Sequence, residues 1–175
     1  LGDSNNEASF LIEEKNLSKK LKSLIDNMKL KKQDAFLVPR ADMYSGEEVP
    51  DNEERLKYIT NFSGSAGHAI ISANSEVKSV ILSDGRYELQ LKKEVDPKNF
   101  DCLIGGFKDI CLFLKKNEKK LKNIAIDPWL LTLKQYELLK SLLKGSKIKF
   151  ELVDKNLIDE MWVKKNFIVK NKIFE

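Results

Sequence analysis

Strand-like and helix-like segments take turns along most of this 175-residue chain, and this alternation constrains the fold more than any other feature. Short apolar runs between turn residues are typical of buried strands, whereas apolar residues spaced by three and four are typical of amphipathic helices. The predicted strands are 35–38, 69–72, 79–83, 100–104, 124–126 and 148–153, and the predicted helices are 13–30, 53–59, 87–95, 110–121 and 133–143. This order predicts an α/β fold with a mixed, mostly parallel sheet and helices on both faces.

Turn residues refine the boundaries of these segments. Residues 73–76 suit a hairpin turn, which supplies the antiparallel part of the sheet. Asp51 or Asn52 is the predicted N-cap of helix 53–59, and Gly145 is expected to end the last helix. The loop Ser63–Gly67 is interpreted as a tight turn that needs glycine for positive φ angles and close approach.

The charge of the chain is mildly basic, with 31 Lys and Arg residues against 27 Asp and Glu residues. Only Arg40, Arg55 and Arg86 are arginines, and the lysines are scattered along the sequence. Recognition of phosphates and bases favours the arginine fork. The interpretation is therefore a solvated lysine surface, with no nucleic acid and no membrane as a partner.

The two cysteines, Cys102 and Cys111, each lie in an apolar segment. They are predicted to be buried thiols in a reducing compartment, which makes the cytoplasm the expected location. Residues 1–12 are polar at their start and lack the pattern of a signal peptide, so they are expected to form a disordered lead.

Few residues offer catalytic chemistry. His68 is the single histidine, so a metal site with two imidazoles cannot be built from this sequence. The loop Ser63–Gly67 precedes a strand and is not followed by Lys-Ser/Thr, so it matches neither a nucleophile elbow nor a phosphate-binding loop. No catalytic residue and no metal ligand is predicted.

The group Asp84-Gly85-Arg86 is the most interesting local feature, because it lies where a predicted strand ends and a helix begins. Open α/β sheets bind ligands at such positions. The structural alternative is that Asp84 caps the helix, Gly85 makes the turn and Arg86 pairs with a nearby carboxylate such as Glu47 or Glu54.

Several motifs resemble the N-terminal domain of the three-domain aminopeptidases P. That family has Glu-Tyr-Val-Pro-Pro, Glu-Arg-Leu, Thr-Gly-Phe-x-Gly-Ser-Ala-Gly, Asp-Gly-Arg-Tyr-x-x-Gln, Val/Ile-Asp-Pro and Asn-Leu-Val-Asp-x-Ile-Trp in this order. The corresponding segments are Glu47–Pro50, Glu54–Leu56, Thr60–Gly67, Asp84–Gln90, Ile126–Pro128 and Asn156–Trp162. The resemblance covers the chain from about residue 34 to residue 162.

Three positions depart from the family pattern. Asp42-Met43-Tyr44 stands where the family has Asp-x-His, and Glu48 stands where tyrosine is common. His68 occupies a position where the family has a small or β-branched residue, which favours a structural role for it. The role of the loop from Asp42 to Glu48 is therefore left open.

The resemblance implies a creatinase/prolidase N-terminal fold with a ribonuclease H-like motif over residues 13–162. Residues 163–175 are then expected to begin a linker or second domain. The family releases an N-terminal residue ahead of proline at a dinuclear manganese or zinc site in a separate catalytic domain.

The implied partners are the second and catalytic domains of the same polypeptide, a second copy in a homodimer, and short proline-containing peptides. The candidate substrate-entrance or interface residues are Glu47, Ser63, Ser65, Asp84 and Arg86. The alternative is a free-standing peptidase-like module that binds peptides or proteins, since fold does not fix function.

Overall fold

The computed structural model of the chain describes residues 3–44 and 46–163. Its strands are β1 (Ala35–Pro39), β2 (His68–Ser72), β3 (Ser79–Ser83), β4 (Phe100–Ile104), β5 (Asn123–Ile126) and β6 (Lys149–Leu152). Its helices are α1 (Asp3–Leu30), α2 (Arg55–Thr60), α3 (Glu88–Glu94), α4 (Phe107–Lys116), α5 (Leu133–Leu142) and α6 (Leu157–Met161). Three short 3-10 turns precede α2, α3 and α5.

The six strands form one mixed sheet in the order β4–β3–β2–β1–β5–β6. The pairs β3–β4, β1–β5 and β5–β6 are parallel, and β2 is antiparallel to both β1 and β3. Every strand except β2 therefore runs in the same direction among the described residues. This confirms the predicted mixed, mostly parallel sheet, whose antiparallel part consists of the predicted β2–β3 hairpin and of the β1–β2 pair.

Apolar side chains cover both faces of the sheet, because successive residues of a strand point to opposite sides. Phe36 and Val38 of β1 pack in one core with residues of α1, α2, α3 and α6. Ala35 and Leu37 of the same strand pack in the other core with residues of α4 and α5. The prediction of helices on both faces is confirmed.

The first helix begins earlier than the sequence predicts. It starts at Asp3, whereas residues 1–12 were expected to be a disordered lead and the helix to begin at Glu13. That expectation is wrong for residues 3–12, since no Pro or Gly interrupts the run from Asp3 to Leu30 and the helix extends over it. Leu1 and Gly2 lie outside the described residues, as do residues 164–175 of the expected linker.

The segment before α2 also differs from its prediction. A 3-10 turn covers Asp51–Glu53, and α2 starts only at Arg55. Neither Asp51 nor Asn52 caps it, because Glu54 holds the N-cap position and makes no side-chain capping bond. The acidic Glu53 side chain instead bonds to the guanidinium of Arg55.

The helix predicted at 110–121 is α4, and it is shifted towards the N-terminus. It spans Phe107–Lys116, and the chain turns through residues 117–120 before β5. Asn117 ends the helix, where its backbone N–H bonds to the carbonyl of Phe113 and its side chain donates to that same oxygen.

The glycines of the loop Ser63–Gly67 allow close packing rather than unusual backbone angles. Neither has positive φ, which among the described glycines occurs only at Gly145 after α5. A Cβ atom on Gly64 would lie 2.2 Å from the ring of buried Phe62, and one on Gly67 would lie 3.1 Å from the carbonyl oxygen of Leu82. The positive-φ interpretation is wrong, and the close-approach interpretation is confirmed.

Both cysteines are free thiols in the structure. Cys111 is buried against the α4–α5 side of the sheet, and this burial raises its pKa to about 11. Within residues 3–44 and 46–163, no helix combines the length and the apolar character that a membrane span requires.

Candidate functional site

The strand directions bring several polar loops to one edge of the sheet. The carboxyl ends of β1, β3, β4, β5 and β6 meet at this edge, and antiparallel β2 begins there. The loops at Arg40–Asp42, Ser63–Gly67 and Asp84–Arg86 consequently lie along the same carboxyl edge. Such edges are the usual ligand-binding positions of open α/β sheets.

A cleft of about 220 Å³ opens at this edge between the loop after β1, the start of β2 and the turn before α5. Its polar lining residues are Arg40, Asp42, Glu47, Ser65, His68, Thr132 and Gln135. Of the five residues predicted for a site, Glu47 and Ser65 line the cleft.

Asp42 shapes one wall of the cleft. Its side chain is buried, and its Oδ1 atom accepts the backbone N–H groups of Tyr44 at 3.1 Å and Gly46 at 2.8 Å. The carboxylate therefore holds the loop that carries Glu47. Asp42 belongs to the loop whose role the sequence left open.

Arg40 ties the walls of the cleft together. Its Nη1 atom donates to the carbonyl oxygen of Ser65 at 2.8 Å, and its Nη2 atom donates to Glu54 Oε1 at 2.7 Å. Its Nε atom is buried without a hydrogen-bond partner among the described residues. Sequence reasoning missed Arg40, although its position directly after a strand that ends in Pro39 was a signal.

His68, the first residue of β2, is half-buried at the base of the cleft. Its ring meets the ring of Phe107 edge-on, with 5.3 Å between the centroids. Burial lowers the pKa of His68 to about 4. The imidazole is therefore neutral at neutral pH, where one ring nitrogen can donate a hydrogen bond and the other can accept one, and it adds no charge to the cleft.

Asp84 and Arg86 lie on the neighbouring turn and bind each other. Asp84 Oδ1 accepts from the backbone N–H of Arg86 at 3.0 Å and from its Nε at 2.9 Å, and Oδ2 accepts from Nη2 at 2.8 Å. Asp84 therefore caps the 3-10 turn Gly85–Tyr87 and not α3 itself, whose N-cap is Tyr87. The bonds to Arg86 lower the pKa of Asp84. The predicted pairing of Arg86 with a nearby carboxylate is confirmed, but its partner is Asp84 and not Glu47 or Glu54. The Glu54 carboxylate is bound to Arg40.

The two serines face different neighbours. Ser65 Oγ shares a hydrogen bond with the Tyr87 hydroxyl, which connects the cleft to the Asp84–Arg86 turn. Ser63 is directed away from the cleft: its backbone N–H and hydroxyl donate to the Glu94 carboxylate at 2.8 and 2.6 Å. The structure therefore joins Glu47, Ser65, Asp84 and Arg86 along one edge and leaves Ser63 as an anchor of α3.

The donor side chains do not fit a metal centre in the part of the chain that the structure describes. No group of three or more His, Cys, Asp or Glu side chains there is close enough to hold an ion. Asp42 is already occupied by two backbone N–H groups, and Asp84 by a guanidinium.

The architecture defines an α/β domain with a polar cleft at the carboxyl edge of a six-stranded mixed sheet. Residues 20–161 match the creatinase/prolidase N-terminal domain family, and the chain belongs to this family. The resemblance inferred from the sequence motifs is thereby confirmed.

Several relatives with curated names are Xaa-Pro aminopeptidases. A probable Xaa-Pro aminopeptidase P of Laccaria bicolor is 35% identical over 150 residues, which are 84% of this chain and 23% of that protein. Xaa-Pro aminopeptidase 1 of Dictyostelium discoideum is 33% identical over 149 residues, which are 83% of this chain and 23% of that protein. The chain thus spans about a quarter of the length of these relatives.

Solved structures share the fold. The X-prolyl aminopeptidase of Caenorhabditis elegans, described as a cytosolic enzyme with a di-nuclear active site, has a TM-score of 0.71 at 24% identity, over 83% of this chain and 25% of that one. The N-terminal domain of the cytoplasmic peptidase PepQ from Mycobacterium tuberculosis has a TM-score of 0.64 at 17% identity, over 81% of this chain and 97% of that one.

Proposed function

We propose that this chain is the non-catalytic N-terminal domain of a metal-dependent Xaa-Pro aminopeptidase, which releases the N-terminal residue preceding proline. The observation that carries the proposal is the similarity over 84% of this chain to a relative of that name, of which it covers 23%. The remaining three quarters of such a polypeptide supply the second domain and the catalytic domain.

The chemistry of peptide hydrolysis supports the assignment of catalysis to a separate domain. A metal centre activates the attacking water and polarises the scissile carbonyl. The described residues of this chain do not gather the ligands for such a centre, and their one histidine has a lowered pKa and packs on Phe107. The manganese or zinc pair therefore belongs to the catalytic domain of the same polypeptide.

The carboxyl edge, where the cleft opens, is the surface by which this domain contributes to the function of the enzyme. In this proposal it faces the catalytic domain and helps to wall the active-site entrance, so that short proline-containing peptides enter. Arg40 makes the wall rigid by joining two loops, and the exposed Arg86 and Glu47 place opposite charges along it. The domain also packs on the second domain and takes part in a homodimer in the cytoplasm.

Kinetics of the full-length enzyme test the role of this edge. Arg86→Ala is expected to raise KM for an Xaa-Pro peptide, or to lower kcat, while the metal content is unchanged. Lys119→Ala, at the opposite edge, is the matched control and should leave both constants unaltered. Unaltered kinetics in Arg86→Ala would contradict a role for this part of the carboxyl edge in the substrate entrance.

Two measurements test whether the chain is part of an enzyme at all. The purified 175-residue chain, supplied with Mn²⁺ or Zn²⁺, is expected not to cleave an Xaa-Pro peptide, and metal-dependent cleavage would contradict the proposal. An immunoblot of source cells should show a band several times larger than 20.1 kDa. A band at that size would favour a stand-alone binding module.

A further inference from the structure

The edge opposite the cleft collects lysines that are far apart in the sequence. The amino ends of β1, β5 and β6 lie side by side there, together with the carboxyl ends of α1, α4 and α5. We name this surface the lysine edge and define it as residues 29–32, 115–122 and 140–149. Its lysines are all exposed.

The segment between α4 and β5 forms the centre of the lysine edge. It carries Lys115, Lys116, Lys119, Lys120 and Lys122 within eight residues, all of them exposed. Lysines in the last turn of a helix complement its dipole, but three of these five follow the end of α4 at Lys116. The local helix dipole therefore does not account for the whole group.

The segment between α5 and β6 adds a second group beside the first. Lys140 lies in the last turn of α5, and Lys144, Lys147 and Lys149 follow it. The two groups are in direct contact, because the backbone N–H of Lys149 donates to the carbonyl oxygen of Lys122 at 2.7 Å.

The end of α1 adds the third group on the other side. The side chain of Asn123, next to Lys122, donates to the carbonyl oxygen of Lys32 at 3.3 Å. Lys29 and Lys31 complete this group, and between them lies Leu30, which is 85% exposed. An apolar side chain thus projects from the centre of a basic surface.

Carboxylates neutralise only part of this charge. Glu160 binds Lys31 at 2.8 Å, and Glu76 of the hairpin lies 3.7 Å from Lys120. Asp34 is occupied by the backbone N–H groups of Lys122 and Asn123. Within the defined lysine edge, Glu118 is the one acidic residue beside twelve lysines.

The composition of the lysine edge favours a lipid surface over a nucleic acid. Its cations are all lysines, whereas Arg40 and Arg86 lie at the carboxyl edge and Arg55 is buried. It presents no exposed aromatic ring within the described residues, and single-stranded nucleic acids stack on such rings. Long lysine stems around an exposed leucine suit a headgroup layer, where the ammonium groups meet phosphates and the apolar side chain enters the acyl boundary.

We propose that the lysine edge binds reversibly to anionic phospholipid surfaces. This proposal departs from the expectation of no membrane partner, because the fold gathers lysines that are scattered in the sequence. This inference does not rest on the proposed peptidase role, since the lysine edge lies opposite the cleft. Lysines near an anionic surface add their attraction roughly one by one, and salt screens that attraction. Binding should therefore need phosphatidylserine in the vesicle and should weaken as ionic strength rises.

Co-sedimentation of the 175-residue chain with phosphatidylcholine vesicles, with and without phosphatidylserine, tests the proposal. The double variant Lys119→Glu/Lys147→Glu is expected to lose about tenfold or more in apparent affinity. The double variant Lys108→Glu/Lys134→Glu has the same net charge but reverses lysines in the first turns of α4 and α5, at the other end of those helices. It should bind nearly as well as the parent chain.

Three results would overturn the proposal. The first is equal or no binding to the two kinds of vesicle, and the second is an equal loss in both double variants, which would mean that net charge alone matters. The third is retention on RNA or on polyglutamate at a salt concentration that releases the vesicles. Leu30→Ser further distinguishes lipid binding from RNA binding, because it should weaken vesicle binding several-fold and leave RNA binding unchanged.

Discussion

Arg55 shows how one side chain can join distant parts of the chain. Its Nε and Nη2 atoms donate to the two oxygens of Asp159 at 2.9 Å each, and its Nη1 atom bonds to Glu53. The side chain is only 6% exposed, so the ion pairs lie largely out of water. The Glu-Arg-Leu motif pointed to this position by resemblance, but its contact with residue 159 depends on the fold.

Arg55→Ala is expected to lower the free energy of unfolding by about 3–5 kcal/mol, because it removes the cation from two partly buried carboxylates. Arg86→Ala is the matched control, since the Arg86 side chain is 75% exposed and its ion pair with Asp84 is solvated. That control should change the free energy of unfolding far less than Arg55→Ala does. Urea unfolding measures both, and equal losses would contradict a special role for the buried pair.

His68 makes the stability of the domain depend on pH. Its pKa is lowered by burial from 6.5 to about 4, so between these values the unfolded chain binds a proton that the folded chain does not. Stability contributed by neutral His68 is present above pH 6.5 and is lost as pH falls towards 4, by about 3 kcal/mol at most.

His68→Gln is expected to flatten this part of the pH profile. The free energy of unfolding of the variant, measured in urea from pH 8 down to pH 4, should fall less steeply than that of the parent chain below pH 6.5. Above that pH the two profiles should be parallel. Parallel profiles over the whole range would show that His68 does not carry the dependence.

At the scale of elements, α6 is fixed to the body of the domain by several polar and aromatic contacts. Glu160 accepts from Asn27 and Lys31 of the α1 end at 2.8 Å, and Trp162 stacks on Tyr58 with 4.7 Å between the ring centroids. Together with the Arg55–Asp159 pair, these contacts hold the end of the domain in a defined position.

Asn156 controls how α6 begins. Its Oδ1 atom caps the helix by accepting from the backbone N–H of Ile158, and its Nδ2 atom donates to the buried Asp127 carboxylate, with 2.9 Å for each bond. Asn156→Ala should lower the free energy of unfolding by about 2–3 kcal/mol. Thr132→Ala, which removes the exposed cap of α5, should cost only about 1 kcal/mol. Equal losses in urea unfolding would argue against the Asp127 bond.

At the scale of the whole molecule, one sheet joins two hydrophobic cores. Adjacent residues of β1 serve different cores, since Phe36 packs with α1 and α2 and Leu37 packs with α4 and α5. Neither core can lose its packing without disturbing the strand that both share. The domain is therefore expected to unfold in one cooperative step.

Phe36→Ala and Leu37→Ala test this coupling. Each should lower the free energy of unfolding by about 2–5 kcal/mol. In both variants the urea transitions followed by circular dichroism and by tryptophan fluorescence should coincide. Separate transitions in either variant would show that the two cores unfold independently.

The sequence predicted most of the fold because its signals are local. The run Ala35–Val38, the hairpin turn after Ser72 and the amphipathic pattern of residues 13–30 each follow from neighbouring side chains. The predictions failed where local preferences are weak. Residues 3–12 carry no strong signal for a helix boundary, and the N-cap expected at Asp51 or Asn52 is replaced by a 3-10 turn.

The candidate site was predicted only in part, for the same reason. Asp84 caps its own turn two residues away, so a sequence pattern sufficed to predict that bond. Arg40 reaches Ser65, 25 positions further along the chain, and binds the Glu54 carboxylate, which was one of the partners suggested for Arg86. No local pattern selects between two arginines for one carboxylate.

The sequence by itself determined the order of strands and helices, the family and the residues of its motifs, because apolar periodicity and short motifs are properties of neighbouring positions. Only the tertiary structure decided which distant loops meet at the two edges of the sheet. Five strands share one direction, so polar loops gather around the cleft at one edge, while lysines that look scattered in the sequence gather at the other. Strand direction is set by the packing of the whole sheet, which no single segment encodes.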